Sequence, residues 1–222
     1  EVVHLTAAAE GMWRHWKDQG ILFDAILVGY LGSISAIEMT EKILKQMLAP
    51  GGISIVDPAM ADHGKLYSGF DEAYARAMEG LCRKADIILP NVTEAAMFSG
   101  FPYSEQLTEG YVRELLQALD HPKVILTGDG YREGETGVAV YSSGSITHYH
   151  HPKIARNFHG TGDMFAASFT GALMQGKTME ESIKIAGDFV WKAIENTVAS
   201  PAHWYGVKFE TALPDLIHRL QK

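Results

Sequence analysis

The chain has 222 residues, enough for one domain of ordinary size, and 46% of them are hydrophobic, so a packed core is available and the composition argues against disorder. Its formal charge of -8 argues against non-specific binding to nucleic acid or to an anionic membrane surface. A nucleotide's phosphates remain compatible with that charge, because a local nest of backbone amides holds them without a basic surface.

The sequence opens at Glu1, without methionine, in what reads as a helix. That start points to residues upstream that are missing or removed. The stretch Ile21 to Gly32 is the longest membrane candidate, and Asp24 breaks it. No signal-peptide pattern is present. Within that stretch Ala25-Ile26-Leu27-Val28 is a strand-length apolar run, followed by Gly29-Tyr30.

Three similar runs follow: Ile53-Ser54-Ile55-Val56, Ile87-Ile88-Leu89 and Val124-Ile125-Leu126. Nearly continuous apolar character suits strands buried on both faces, as in a parallel sheet. Amphipathic segments near 33–48, 71–84 and 107–119 lie between them. The alternation predicts a three-layer α/β/α sandwich with a mostly parallel central sheet. Cys82, the single cysteine, falls in one of the helical segments and reads as a small buried apolar residue; its use fits a reducing cytoplasm.

The pattern then changes. Thr136 to Tyr141 and Ser145 to His151, joined by Ser142-Ser143-Gly144, predict a hairpin. His148 and His150 would share one face of its second strand, as metal ligands do. No carboxylate or cysteine lies near them in sequence, so a partly exposed hairpin edge is the expectation. Helices are predicted over about 162–175, 178–197 and 208–221, with Pro201 and Gly206 marking the last linker. Trp13, Trp16 and Trp191 fall in helical patterns as core or interface residues.

Two features of the later chain concern nucleotides. Gly171-Ala172-Leu173-Met174-Gln175-Gly176-Lys177-Thr178 matches the P-loop pattern letter for letter. A P-loop needs a buried strand before it, whereas Met164, Phe165, Phe169 and Leu173 run into the motif at helical spacing. Gly176 reads instead as a helix stop, and Thr178 with Glu181 as a capping box.

The other feature is His159-Gly160-Thr161-Gly162-Asp163, just before the apolar run Met164 to Met174. Bare N–H groups and the positive end of a helix dipole meet there, which suits an anion. In isolation such a tetrad also fits a turn with an aspartate cap.

Position adds meaning. Each buried run ends in polar or turn-forming residues: Tyr30, Asp57-Pro58, Pro90-Asn91 and Thr127-Gly128. Open α/β sheets bind ligands outside the carboxyl ends of their strands. Tyr30, Asp57, Asn91, Glu94 and Thr127 are therefore expected along one rim, joined by Asp163. Such a rim suits phosphoryl transfer: Gly160, Thr161 and Gly162 to hold the moving phosphate, Asp163 to accept a hydroxyl proton, Asp57 and Glu94 for Mg2+, Thr127 and Gly128 for the remaining phosphates.

The segment Gly160-Thr161-Gly162-Asp163-Met164-Phe165-Ala166-Ala167 resembles the anion hole and catalytic segment of the ribokinase-like superfamily. Within it, Gly29-Tyr30-Leu31-Gly32-Ser33, Asp57-Pro58-Ala59-Met60-Ala61-Asp62 with Gly64-Lys65-Leu66-Tyr67, and Pro90-Asn91-Val92-Thr93-Glu94 resemble the pyridoxal kinases, in that family's order. The resemblance implies ATP-dependent phosphorylation of the 5′-hydroxymethyl of pyridoxal, pyridoxine or pyridoxamine. It makes Asp163 the base, places Asn91, Glu94, Thr127 and Phe158 by ATP and Tyr30 by the pyridine ring, and implies a homodimer using Mg2+ and often K+.

There are departures. Ala59 and Ala61 replace the usual Val and Gly, and Asn157-Phe158 stand where many members carry Asp-Thr, which bears on the K+ site. Residues 1–222 read as one ribokinase-like domain lacking the family's N-terminal strand region. The rival enzyme reading is a hydroxymethylpyrimidine kinase, whose family usually carries cysteine at the position of Asp163. The rival outside enzymology is a non-catalytic ATP- or vitamin-binding protein.

Overall fold

The apolar runs form the middle of one sheet. In the computed structural model, which describes residues 5–156, 158–200, 203 and 205–221, the strands are β1 (Phe23–Val28), β2 (Leu48–Val56), β3 (Ala61–Asp62), β4 (Lys65–Leu66), β5 (Ile87–Ile88), β6 (Lys123–Asp129), β7 (Glu135–Ser142) and β8 (Ser145–Pro152). Six of them make a sheet in the order β1-β2-β5-β6-β7-β8. Its first four strands are mutually parallel, and the β7–β8 hairpin adds two antiparallel strands at one edge. The fold is thus the mostly parallel α/β/α sandwich expected from the alternation.

Helices cover both faces, because alternate strand residues point to opposite sides. Val56, Ile88, Val124 and Leu126 pack into a core shared with α2 (Ile34–Met47), α3 (Glu72–Cys82), α4 (Val92–Ser99) and α5 (Glu109–Ala118). Ile55, Ile87 and Ile125 pack on the other side against α6 (Thr161–Met174) and α7 (Met179–Val198). At the start of the described chain, α1 (Thr6–Asp18) runs beside α2, where Lys17 Nζ donates to Gln46 Oε1 at 2.6 Å. Cys82 is buried, and burial pushes its thiol well above the ordinary range, as suits an apolar filler.

Several boundaries differ from the sequence reading. The helix α4 has no counterpart among the predicted segments, because its eight residues are too few to show a period. β2 begins at Leu48, directly after α2, and reaches its regular register with β1 only at Ile53, past an irregularity around Gly51-Gly52. The small β3–β4 hairpin lies in what had been a motif without assigned structure. The predicted final helix is two pieces, a 3-10 turn at Phe209–Ala212 and α8 (Leu213–Gln221). Glu1, Asn157 and Pro201, each given a meaning above, lie outside the described residues.

The P-loop look-alike is resolved as helix, stop and cap. Residues 171–174 are the last turn of α6, Gly176 takes φ +80°, and Thr178 and Glu181 form the capping box that starts α7.

Candidate active site

A cleft of about 890 Å³ opens at the carboxyl ends of the parallel strands. Tyr30, Asp57, Asn91, Glu94, Thr127, Gly128, Phe158, Gly160, Thr161, Gly162 and Asp163 all line it. The topology gathers these residues from positions 30 to 163 because each parallel strand delivers its C-terminal end to the same side.

The mouth of α6 is the anion-receptive part. The side chains of Ser33, Asp71, Asn91, Thr108 and Thr178 each cap their own helix. By contrast α6 begins at Gly160, with φ 82° and no side-chain cap. The first N–H groups of a helix have no intrahelical acceptor, so here they are left to a ligand, with the dipole reinforcing them. Nothing lies within 4 Å of where a Cβ on Gly160 would stand, so glycine serves the backbone conformation rather than space.

Two carboxylates face each other across this mouth. Asp163, in the first turn of α6, is exposed to the cleft. Asp57, after β2, has Oδ2 only 3.8 Å from where a Cβ on Gly162 would be. Burial pushes the Asp57 carboxyl up to about 6, and the neighbouring charge of Asp163 adds to that rise. Asp57 Oδ1 accepts from the Ala59 N–H at 3.2 Å, which leaves Oδ2 toward the α6 mouth. This donor set suits a hard divalent cation shared with phosphate and water.

Glu94 is placed differently from a free metal ligand. It is 1% exposed, and both carboxylate oxygens are occupied by backbone donors. Oε1 accepts from Met60 N at 2.8 Å and Ala61 N at 3.2 Å, and Oε2 accepts from Asn91 N at 2.9 Å. Burial pushes this carboxyl up to about 7, against the pull of those donors. Asn91 is tied down too: its Nδ2 donates to Ala61 O at 2.7 Å and its Oδ1 accepts from Glu94 N at 3.0 Å. These two residues shape the loop that carries Asp57 and Tyr67. The Tyr67 hydroxyl is held above its usual range by burial and by the surrounding carboxylates, Glu94 first among them.

At the other strand ends, Thr127 N donates to Pro90 O at 2.8 Å, and Gly128 takes φ 77° and is open to the cleft. Tyr30 is 55% exposed and begins an aromatic ladder: its ring lies 5.5 Å from Phe70, which stacks on Tyr74 at 3.8 Å. Phe158 lies under the Arg156 guanidinium, 4.8 Å from its ring centre.

Sequence reasoning missed the far lobe of the cleft. Val138 on β7, and Val190, Trp191 and Ile194 on α7, form an apolar wall, with Lys153 and Arg156 at its edge. Trp191, read as core or interface, is a wall residue whose Nε1 donates to Pro152 O at 3.0 Å. An α7 residue that packs and one that lines a cleft share the same helical period, so no local signal separates them. The reading of His148 and His150 also needs correction. They do stand half-buried on the edge strand, as expected, but a carboxylate distant in sequence reaches them: both contact the buried Asp129. Asp129 is remote in sequence and close only through the β6–β7–β8 meander.

Fold and rim together define a class: a ribokinase-like α/β protein whose sheet presents carboxylates to an uncapped helix mouth. The chain belongs to the phosphomethylpyrimidine kinase family, whose model matches residues 17–207. It is 30% identical over 179 residues to the hydroxymethylpyrimidine/phosphomethylpyrimidine kinase of Bacillus subtilis, covering 79% of this chain and 65% of that protein. It is 27% identical over 181 residues to the pyridoxine kinase of the same organism, covering 80% and 66%. The chain therefore spans slightly under two thirds of the length of these relatives.

Among solved structures, the pyridoxal kinase from Lactobacillus plantarum matches with TM-score 0.88 and 30% identity, over 98% of this chain and 79% of that one. A Bacteroides thetaiotaomicron structure, described as a candidate phosphomethylpyrimidine kinase, matches with TM-score 0.91 and 30% identity, over 96% and 76%. The resemblance to pyridoxal kinases read from the motifs is borne out. The relatives' names divide between the B6 kinases and the hydroxymethylpyrimidine kinases, so family membership leaves the alcohol open.

Proposed function

We propose that this chain carries the catalytic domain of an ATP-dependent kinase for the 5′-hydroxymethyl group of pyridoxal, pyridoxine or pyridoxamine. The observation that carries it is the uncapped α6 mouth, with Asp163 exposed beside it and Asp57 opposite. The amides of Gly160, Thr161 and Gly162 hold the transferring phosphoryl group. The substrate oxygen bonds to the γ-phosphorus as the bond to the ADP oxygen breaks, and the hydroxyl proton passes to the Asp163 carboxylate. Asp57 would hold Mg2+, which supplies charge neutralisation on the phosphates when bound. Glu94 and Asn91 act by fixing the Asp57 loop. Thr127, Gly128 and Phe158 border the nucleotide, whose base faces the apolar wall of Val138, Val190 and Ile194. Tyr30 borders the pyridine ring.

The choice of a B6 alcohol over a hydroxymethylpyrimidine rests on Asp163, where the latter family usually carries cysteine, and on Gly64-Lys65-Leu66-Tyr67, whose tyrosine lines the cleft. The pyrimidine reading has support of its own, in the family match and the His159-Gly160-Thr161-Gly162 segment. Assaying ATP consumption with each alcohol separates them. Faster turnover of the pyrimidine would reverse the assignment, and no turnover with any alcohol would favour a binding protein.

A homodimer in the cytoplasm is part of the same proposal, with light scattering as its check. No helix among the described residues is long and apolar enough to cross a membrane. A requirement for K+ is also proposed from the family resemblance, and is tested by exchanging K+ for Na+ in the assay.

A further inference from the structure

On the opposite face of the β7–β8 hairpin from Tyr149 and His151, three potential metal ligands converge. Asp129 ends β6 and is fully buried. In the sheet register it pairs with Gly137, which pairs in turn with His150. The residue between them thus has no side chain, and carboxylate and imidazole meet directly. His150 Nε2 lies 2.9 Å and His148 Nδ1 2.7 Å from the same oxygen, Asp129 Oδ2. The ligand atoms of the three residues all lie within 4.8 Å of one another.

Two further features distinguish this cluster from a simple ion pair. Asp129 Oδ1 is buried and has no hydrogen-bond partner, so half of a fully buried carboxylate is unsatisfied. The other ring nitrogen of His150, Nδ1, faces Glu135 Oε2 at 3.7 Å, and that oxygen is buried and also lacks a hydrogen bond, though Arg132 stands 3.7 Å from it. A carboxylate near one imidazole nitrogen, leaving the other nitrogen to the ion, is the arrangement that orients metal-bound histidines, and a small turn of the ring would bring Nδ1 into hydrogen-bond reach of Glu135. The Tyr131 ring lies edge-on to both imidazoles, at 5.1 and 5.2 Å between ring centres, and walls the cluster. His148 keeps 15% of its side chain exposed, which leaves a way in.

We propose that Asp129, His148 and His150 form a binding site for a divalent cation of the zinc class, separate from the carboxylates of the kinase cleft. Two imidazoles and a carboxylate favour zinc or cobalt over magnesium, which prefers oxygen ligands and keeps its waters. An ion about 2.0–2.1 Å from each ligand atom sets tetrahedral ligand separations of roughly 3.3 Å, so each imidazole nitrogen would move roughly half an ångström away from Asp129 Oδ2 on binding. The fourth position falls to water. Asp129 follows Gly128, and Glu135 precedes Thr136 and Gly137, all three of which line the cleft. A cation here therefore ties the β6–β7 turn to β8 beside the nucleotide lobe.

The experiment is equilibrium dialysis against Zn2+, and separately Co2+, in excess Mg2+ so that the cleft carboxylates do not report. The expected result is one tightly held ion per chain, visible absorption from tetrahedral Co2+, and Zn2+-dependent 15N shifts at the ring nitrogens of His148 and His150. His148→Gln and His150→Gln should each weaken binding by at least ~10-fold, and the double variant should hold no ion at this site. Asp129→Asn serves as a third probe if it folds, as judged by circular dichroism; the His148→Gln variant alters only a partly exposed side chain. Failure of the wild type to hold a stoichiometric ion overturns the proposal. So does equal binding by the folded double variant, or ring shifts confined to other histidines.

Discussion

The Glu94 carboxylate receives the Met60 N–H at 2.8 Å, so the first turn of α4 holds the loop after β2. Ala61 N and Asn91 N complete the set of donors. A glutamine at this position keeps the size but turns an amide NH2 toward a backbone N–H. Glu94→Gln is therefore expected to destabilise the fold by about 1–3 kcal/mol near pH 4, where ionisation of Glu94 does not enter, the scale for stranding a buried donor. Urea unfolding measures it. Full stability with turnover lost would instead make Glu94 a direct participant.

That pairing also shows what a sequence withholds. The central strands were legible because burial on both faces leaves an unbroken apolar run, as in Val124-Ile125-Leu126. The rim was legible because parallel strands deliver their ends to one side, which brought Tyr30, Asp57 and Thr127 together. The use of Glu94 was not legible: an acid beside the carboxyl end of a strand reads as a Mg2+ ligand, and its reach to Met60 depends on a loop without periodicity. The approach of Asp129 to His148 and His150 was hidden by the strand between them. Long-range proximity was predicted only where parallel strands share a carboxyl end.

Asp57 and Glu94 make stability depend on pH. Both carboxyls sit higher in the folded protein, about 6 against 3.8 and about 7 against 4.5. The folded state therefore binds their protons more tightly than the unfolded state. Their contribution to stability is complete below about pH 4 and is lost as pH rises through 6 to 7. Asp57→Asn removes one of the two titrations. Without Mg2+ it should be more stable than the wild type near pH 7.5, by about 1–2 kcal/mol after screening at the cleft, and no more stable near pH 4. Urea titrations at both pH values check this. Equal stabilisation at both would show that charge on Asp57 is not the cause.

The P-loop look-alike gives a control. Thr178 Oγ1 accepts from Glu181 N at 3.2 Å, and Glu181 Oε2 accepts from Thr178 N at 2.8 Å. Thr178→Ala removes this cap of α7 and should cost about 1 kcal/mol. Neither it nor Lys177→Ala should alter the affinity for ATP, because neither residue lines the cleft. Nucleotide titration of both variants tests the point; a tenfold loss in Lys177→Ala would return the phosphates to that segment.

Asp163→Asn tests the proposed base most directly. Asparagine keeps the shape of the first turn of α6 and leaves the bare amides of its mouth in place. ATP binding should persist, because the proposed phosphate site is made by the amides and not by the carboxylate. Loss of one negative charge beside the phosphates could even tighten it. Turnover should fall by at least ~10²-fold, because the attacking hydroxyl loses its proton acceptor. The effect should appear in kcat with little change in KM for ATP, which a collapsed cleft would not produce. The variant should also make Asp57 easier to ionise, since Asp163 contributes to its raised value. A lowered Asp57 titration, read by carboxyl NMR, would show that the two carboxylates sense each other across the α6 mouth. Unchanged turnover would remove Asp163 from the chemistry and leave the anion site to binding alone.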